Sequence, residues 1–174
     1  LEIQATSELL NNAPFNAIID VGAYFKDEST ESVATSLLNF QDYVFYFSSR
    51  PSTRNKLAVV SKKIPEKILH TMSREALEAA VDDVSTRVTF YDDANTTGVD
   101  IYQDDQGFGY VIIGVDTTAE RFYQAVMRMR KLLNQQVILV VVPDTVRDEI
   151  FMRFNVKTLD IKTTLDFMQD NMIM

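Results

Sequence analysis

The feature that most constrains this chain is a repeated alternation of short apolar runs with longer stretches of helical periodicity. The runs are Ala17-Ile18-Ile19-Asp20-Val21, Tyr43-Val44-Phe45-Tyr46-Phe47, Val88-Thr89-Phe90-Tyr91, Tyr110-Val111-Ile112-Ile113-Gly114-Val115 and Val137-Ile138-Leu139-Val140-Val141-Val142. Runs of this length without strict polar alternation mark strands covered on both faces. Between them, Val33, Ala34, Leu37 and Leu38 recur at helical spacing. So do Ile64, Ile68 and Leu69, then Ala76, Leu77, Ala80 and Val81 after a cap at Ser73. Such alternation predicts βαβ units, and so a three-layer α/β/α domain with a mostly parallel, Rossmann-like sheet. Residues 56–60 add a short extended piece, read as a further strand or a sheet edge. The expected organisation is an appendage over 1–14, the α/β domain over 15–155 and a C-terminal helical extension over 156–174.

Residue counts remove several kinds of chemistry. The chain has no cysteine, which excludes a disulfide framework, a thiolate metal site and a cysteine nucleophile. Its single histidine, His70, cannot build a multi-histidine zinc site, and its place in a helical run reads as a surface or boundary position. A net charge of -8 argues against a sequence-independent grip on nucleic acid, which depends on Lys and Arg neutralising phosphates. No apolar run approaches the roughly 20 residues that cross a bilayer. The first residues, Leu1-Glu2-Ile3-Gln4, lack the basic start of a signal peptide and read as the beginning of an excised fragment. The expected location is cytoplasmic, with a bacterial protein delivered into a host cell as the alternative.

Charge is nonetheless uneven. Arg50, Arg54, Lys56, Lys62, Lys63, Lys67 and Arg74 fall in one band in which Glu66 is the only acid. The band reads either as a solvated face or as a docking patch for an acidic protein partner.

In a parallel α/β sheet, ligands sit beyond the carboxyl ends of the strands. Those ends present Asp20, the Ser48-Ser49-Arg50 loop, the loop from Asp92 to Asp100, Asp116-Thr117-Thr118 and Asp144. Thr96-Thr97-Gly98 offers hydroxyls and a backbone that can approach an anion closely. Asp100, two residues on, can accept from a sugar hydroxyl; the competing reading is a polar turn capped by Asp92, Asp93 and Asn95. After the next strand, Thr117 and Glu120 have the spacing of a capping box. Phe122, Val126, Met129 and Leu133 then form the buried stripe of a helix. Gln124, Arg128 and Lys131 fall on its opposite face, and Arg130 lies to one side beside Tyr123 and Met127. Arg130 can join the other three only if the helix ends or turns there. Further helices are expected from Asp144 through Phe151 and, capped at Thr163, through Leu165, Phe167, Met168 and Met172.

The stretch Thr96-Thr97-Gly98-Val99-Asp100-Ile101 resembles motif V of superfamily 2 helicases. The run from Gln124 to Lys131 resembles motif VI, with Gln124 and Arg128 matching, Lys131 at the finger position and Arg130 one residue early. Ile19-Asp20-Val21-Gly22-Ala23, the Thr-Thr-Gly hexad and Arg128-Met129-Arg130 together resemble a family of very large proteins, some labelled ubiquitin hydrolases. The resemblance spans about residues 17–142. It implies a second RecA-like, helicase C-terminal-like lobe of an NTPase, lacking the P-loop. Arg128, Arg130 and Lys131 would then be catalytic, and Thr96, Thr97, Gly98, Asp100 and Gln124 would contact nucleotide. The turn bearing Gly98 and the arginine-bearing helix face would share one rim of the sheet.

The chain carries no Gly-x-x-x-x-Gly-Lys-Ser/Thr cradle, so phosphates would be held by a missing P-loop lobe. The fragment alone is expected to bind no cofactor and hydrolyse nothing, with ATP and Mg²⁺ entering only in the full-length protein. Two alternatives stand beside this reading. One is a degenerate RecA-like scaffold or protein-interaction module, and the other is a carboxylate-based phosphatase or nuclease using strand-end aspartates with Mg²⁺.

Overall fold

The structure is a computed structural model that describes residues 15–62, 74–96, 101–130 and 135–174. Six strands, β1 (Phe15–Asp20), β2 (Tyr43–Phe47), β3 (Leu57–Ser61), β4 (Arg87–Tyr91), β5 (Phe108–Ile112) and β6 (Val137–Val141), form one sheet. Their order is β3-β2-β4-β1-β5-β6. All neighbouring pairs are parallel except β2 and β3, an antiparallel hairpin that puts β3 at one edge. The described helices are α1 (Thr30–Leu37), α2 (Arg74–Ala80), α3 (Ala119–Val126), α4 (Asp144–Phe154) and α5 (Ile161–Asp170).

Side chains alternate across the sheet and so define two apolar layers. Ile19, Phe45, Phe47, Tyr91, Val111 and Ile113 pack with residues of α2, α3, α4 and α5 on one face. Ile18, Val44, Tyr46, Phe90, Tyr110 and Ile112 pack with Val33, Ala34 and Leu37 of α1 on the other. The three-layer α/β architecture expected from the alternation is thus present. Among the described residues, no helix is long and apolar enough to cross a membrane.

The residues 156–174, expected as an extension, contain α5, and α5 belongs to the main core. Its Phe167 and Met168 are fully buried beside Val146 and Ile150 of α4. Arg153 of α4 ties the two helices from the outside. Its guanidinium lies 2.9 Å from Glu149 and 3.3 Å from Asp170, and it sits 4.7 Å over the Phe167 ring. A cation held over an aromatic face while paired at its edges adds orientation to what is otherwise a weak surface ion pair.

Two helix starts differ from the sequence reading, by one residue and by three. Thr118, not Thr117, caps α3 by accepting from the Arg121 N–H, while Thr117 is buried and accepts from the Gly114 N–H at 2.8 Å. Asp160, not Thr163, caps α5 by accepting from the Thr163 N–H. In each case the preceding loop decides which cap-competent side chain faces the helix end. The appendage over 1–14 and the helix pattern around Ile64, Ile68, Leu69 and His70 lie outside the described residues.

The chain leaves β1 toward β2 and leaves β5 toward β6, so the two directions part at the junction of β1 and β5. A nucleotide-binding sheet opens a crevice at such a point. Here backbone closes it. The Gly22 N–H donates to the Ile112 carbonyl at 3.0 Å, and a methyl group on Gly22 would meet the Gly114 nitrogen at 2.2 Å. Gly109 is less tightly bound, since its added methyl would meet the flexible end of Met129 at 3.0 Å. Gly22→Ala is therefore expected to cost about 3 kcal/mol or more and Gly109→Ala about 1 kcal/mol. Urea unfolding of the two variants checks the order, and equal losses would contradict it.

Candidate functional site

Five of the six strands end on one edge of the sheet, and the described site residues divide between that carboxyl edge and the opposite, amino edge. At the carboxyl edge, Asp20 closes β1 and is almost completely buried. Its two oxygens accept from the backbone N–H groups of Tyr24 at 2.8 Å and Phe25 at 3.0 Å. These bonds hold the tight turn in which Ala23 adopts a positive φ of 53°. Burial pushes the Asp20 carboxyl above its ordinary value, the Phe25 and Tyr24 amides pull it back, and Asp93 and Asp92 push it up again. Asp92 is also raised, mainly by burial, against the pull of its hydrogen bond from Asn95.

Thr96 follows the short 3-10 turn Asp93–Asn95 at the end of β4. It is buried, and its hydroxyl faces the Asp93 carbonyl at 3.4 Å. Its role here is to close a turn, as the competing sequence reading of Asp92, Asp93 and Asn95 anticipates. Thr97, Gly98 and Asp100 lie outside the described residues.

The Ser48-Ser49-Arg50 loop at the end of β2 holds an anion supplied by the chain itself. Glu31, in the first turn of α1, accepts from the Ser48 hydroxyl at 2.7 Å, the Ser49 hydroxyl at 2.5 Å and the Ser49 amide at 3.1 Å. Arg50 stands 3.8 Å away. Burial alone would raise the Glu31 carboxyl, but the hydrogen bonds from Ser49 and Ser48 outweigh it and bring the group down to about 2.

The amino edge is built around Arg87, the first residue of β4, which the sequence reading did not single out. Its guanidinium is buried and donates to the carbonyls of Val81 at 2.7 Å, Tyr102 at 2.7 Å and Glu78 at 3.4 Å. It also lies 4.9 Å over the Phe45 ring. Tyr102 is fixed a second time, by its N–H donating to the Glu78 carboxylate at 2.8 Å. Gln136, just before β6, donates to the Asp104 carbonyl at 2.7 Å, joining the entries to β5 and β6.

These ties enclose a cavity of about 230 Å³ lined by Arg74, Glu78, Tyr102, Gln103, Arg130 and Gln136, with Asp105 at its margin. Arg130 reaches it because α3 stops early. The helix ends at Val126, and the next N–H groups, of Arg128 and Met129, turn back three residues to Ala125 and Val126. Met129 is then buried over β5 at Gly109, which turns the chain and exposes Arg130. The continuous helix expected through Leu133 is replaced by a turn, the one condition under which Arg130 leaves the side position given by helical spacing.

Of the candidate residues, Gln124 is exposed on α3 and donates to Glu120 one turn back, at 3.3 Å. Arg128 is half-buried beyond the helix end. Lys131 lies outside the described residues. Thr96 and Arg130 are on opposite edges, while Ile101, the other described residue of the hexad, is buried in the core that also holds Met129. What does meet Arg130 is Tyr102 and Gln103, the two residues following the hexad.

The basic band divides in the same way, because β3 runs antiparallel to its neighbours. Arg50, Arg54 and Lys56 lie in the hairpin loop at the carboxyl edge, whereas Lys62 follows β3 to the amino edge, where its N–H meets the Asp42 carbonyl. Arg74 is paired with Glu75 at 3.2 Å and with Glu78 at 3.9 Å. The described members therefore do not form one patch. Among the described residues, no group of three or more His, Asp or Glu side chains is placed to hold a metal ion. Comparison with protein families, curated proteins and solved structures finds no match for the chain.

The Glu31 network generates a pH dependence whose sign follows from its lowered pKa. Ionised Glu31 stabilises the fold at pH values above its unfolded value of 4.5, and that contribution is lost as pH falls from there toward 2. Glu31→Gln should remove about 2 kcal/mol at neutral pH and flatten the loss of stability between those limits. Urea titrations of both proteins at a series of pH values test this, and parallel pH profiles would refute it.

Proposed function

We propose that this domain is a helicase C-terminal-like, RecA-like lobe that completes an NTP site with a P-loop lobe of the same parent protein. On its own it turns over no nucleotide. The observation that supports the reading is a convergence at the amino edge, opposite the carboxyl edge where a parallel sheet ordinarily holds its own ligand. The chain emerging from the Thr-Thr-Gly hexad, at Tyr102 and Gln103, and the chain emerging from α3, at Arg130, arrive at one cavity. An exposed arginine at the mouth of such a cavity can extend toward a phosphoryl group bound by a second body. There it would offset charge that develops on the transferred group. Arg128, two residues earlier on the same turn, would orient or assist it.

A second reading, a RecA-like scaffold without NTPase chemistry, is favoured by the acids in the same cavity. Glu78 is already held by the Tyr102 amide and Arg74, and Asp105 stands beside Tyr102, whose hydroxyl donates to it at 3.0 Å. An incoming phosphate would meet those carboxylates, and Lys131 at the finger position lacks the bidentate fork of arginine.

The two readings part on one experiment in the full-length parent protein. Arg128→Ala combined with Arg130→Ala should lower NTP turnover at least 100-fold while leaving the unfolding midpoint of the domain unchanged. Unchanged turnover would overturn the lobe reading and leave the scaffold.

A further inference from the structure

The NTP reading uses Arg130 at the mouth of the amino-edge cavity and leaves the interior without a role. Two neighbouring residues shape that interior. Tyr102 is 55% exposed, yet its polar groups are tied down on three sides. Its N–H donates to the Glu78 carboxylate at 2.8 Å, its carbonyl accepts from Arg87 at 2.7 Å, and its hydroxyl donates to Asp105 at 3.0 Å. What it offers the cavity is therefore its ring, an apolar surface held in a fixed orientation.

Gln103 lines the same space and is only 5% exposed. Its Nε2 donates to the Tyr91 hydroxyl at 3.0 Å and to the Ile101 carbonyl at 3.2 Å, both on core residues. With Nε2 turned to the core, Oε1 is directed at the cavity, where it accepts from no described residue. An amide oxygen held in so enclosed a place gains from a donor brought by a ligand.

Charge selects among such ligands. The guanidiniums of Arg74 and Arg130 and the carboxylates of Glu78 and Asp105 line the cavity together, so their formal charges cancel. An anion inside would meet the carboxylates and a cation the guanidiniums, each after losing its hydration. A hydroxyl both donates and accepts, and so suits a wall of mixed sign. The volume of about 230 Å³ is below that of drug-sized sites and suits a single ring.

We infer that the interior of this cavity binds a neutral sugar ring through adjacent hydroxyls. The C–H face of the ring lies on Tyr102, one hydroxyl donates to Gln103 Oε1, and its neighbour accepts from Arg74 or Arg130. A free sugar and the ribose of a nucleoside share this chemistry. NMR titration of the chain with methyl glucoside, adenosine and deoxyadenosine separates them. Saturable binding of methyl glucoside alone marks a free sugar. Saturable binding of adenosine, with deoxyadenosine at least tenfold weaker, marks a ribose. Tyr102→Ala keeps both backbone ties and should weaken whichever probe binds at least tenfold, with an unchanged unfolding midpoint. Gln103→Met should weaken it similarly, and its own midpoint monitors whether the loop survives. Absence of saturable binding by both methyl glucoside and adenosine, deoxyadenosine matching adenosine, or undiminished binding in Tyr102→Ala would overturn the assignment. The outcome is independent of the NTP reading, because the probes carry no phosphate and Arg128 and Arg130 are left intact.

Discussion

Arg87 is the constraint on which the amino half of this fold depends. A guanidinium is costly to bury unless its donors are met, and here carbonyls from α2, from the turn after it and from the crossover between β4 and β5 meet them. Burial pulls the Arg87 pKa down, while Glu78 and the phenols of Tyr91 and Tyr102 support its charge. The side chain thereby does what a crossover helix does in a regular βαβ unit. It fixes where the chain returns to the amino edge before entering β5. The position of Tyr102, and with it one wall of the amino-edge cavity, follows from that anchor.

The two edges of the sheet are chemically different for reasons that start in the topology. Placing β1 between β4 and β5 brings two acid-terminated segments, ending at Asp20 and at Asp92-Asp93, into one region. The Gly22–Gly114 contact then fills the crevice where the chain directions part, and a cavity at this edge lies on the β2 and β4 side. At the other edge, loops enter the strands through side chain to carbonyl bonds from Asn16, Arg87 and Gln136. Donor-rich side chains gather there because the incoming segments expose carbonyls before the ladder can pair them. The edges thus differ in how they are tied, by carboxylates accepting backbone N–H groups at one and by side-chain donors meeting carbonyls at the other.

Much of this was legible in the sequence where a residue's neighbours are set by the chain itself. The runs at Tyr43–Phe47 and Val137–Val141 became strands nearly residue for residue, because continuous β-branched and aromatic side chains suit an extended, pleated backbone. The antiparallel sense of β3 was not legible, since residues 56–60 carry no signal for direction beyond a short hairpin. The early end of α3 was also hidden. Helical spacing continues through Leu133, and only the fit of Met129 over Gly109, a contact between distant segments, turns the chain at Arg128. Glu31 is an acid in the first turn of α1, a local feature, but its pairing with Ser48 and Ser49 joins elements 17 residues apart. Arg87 gave no signal because a strand-initial arginine looks solvent-facing until the segments that cover it are placed.

The same distinction weighs the candidate residues against one another. Thr96 is buried in a turn and Asp20 holds one with both oxygens, so the fold alone gives each a reason to be what it is. The pattern that brings them to notice is therefore no independent sign of chemistry. Arg130 differs, because its place arises from a helix cut short and it stands exposed at a cavity mouth instead of inside the packing. Ending the helix there replaces four-residue backbone bonds at Arg128 and Met129 with three-residue ones of poorer geometry. The burial of Met129 offsets that loss, and the exposed arginine is what the exchange leaves at the surface. A functional argument for this domain accordingly rests on the turn after Val126 more than on the letters of any motif.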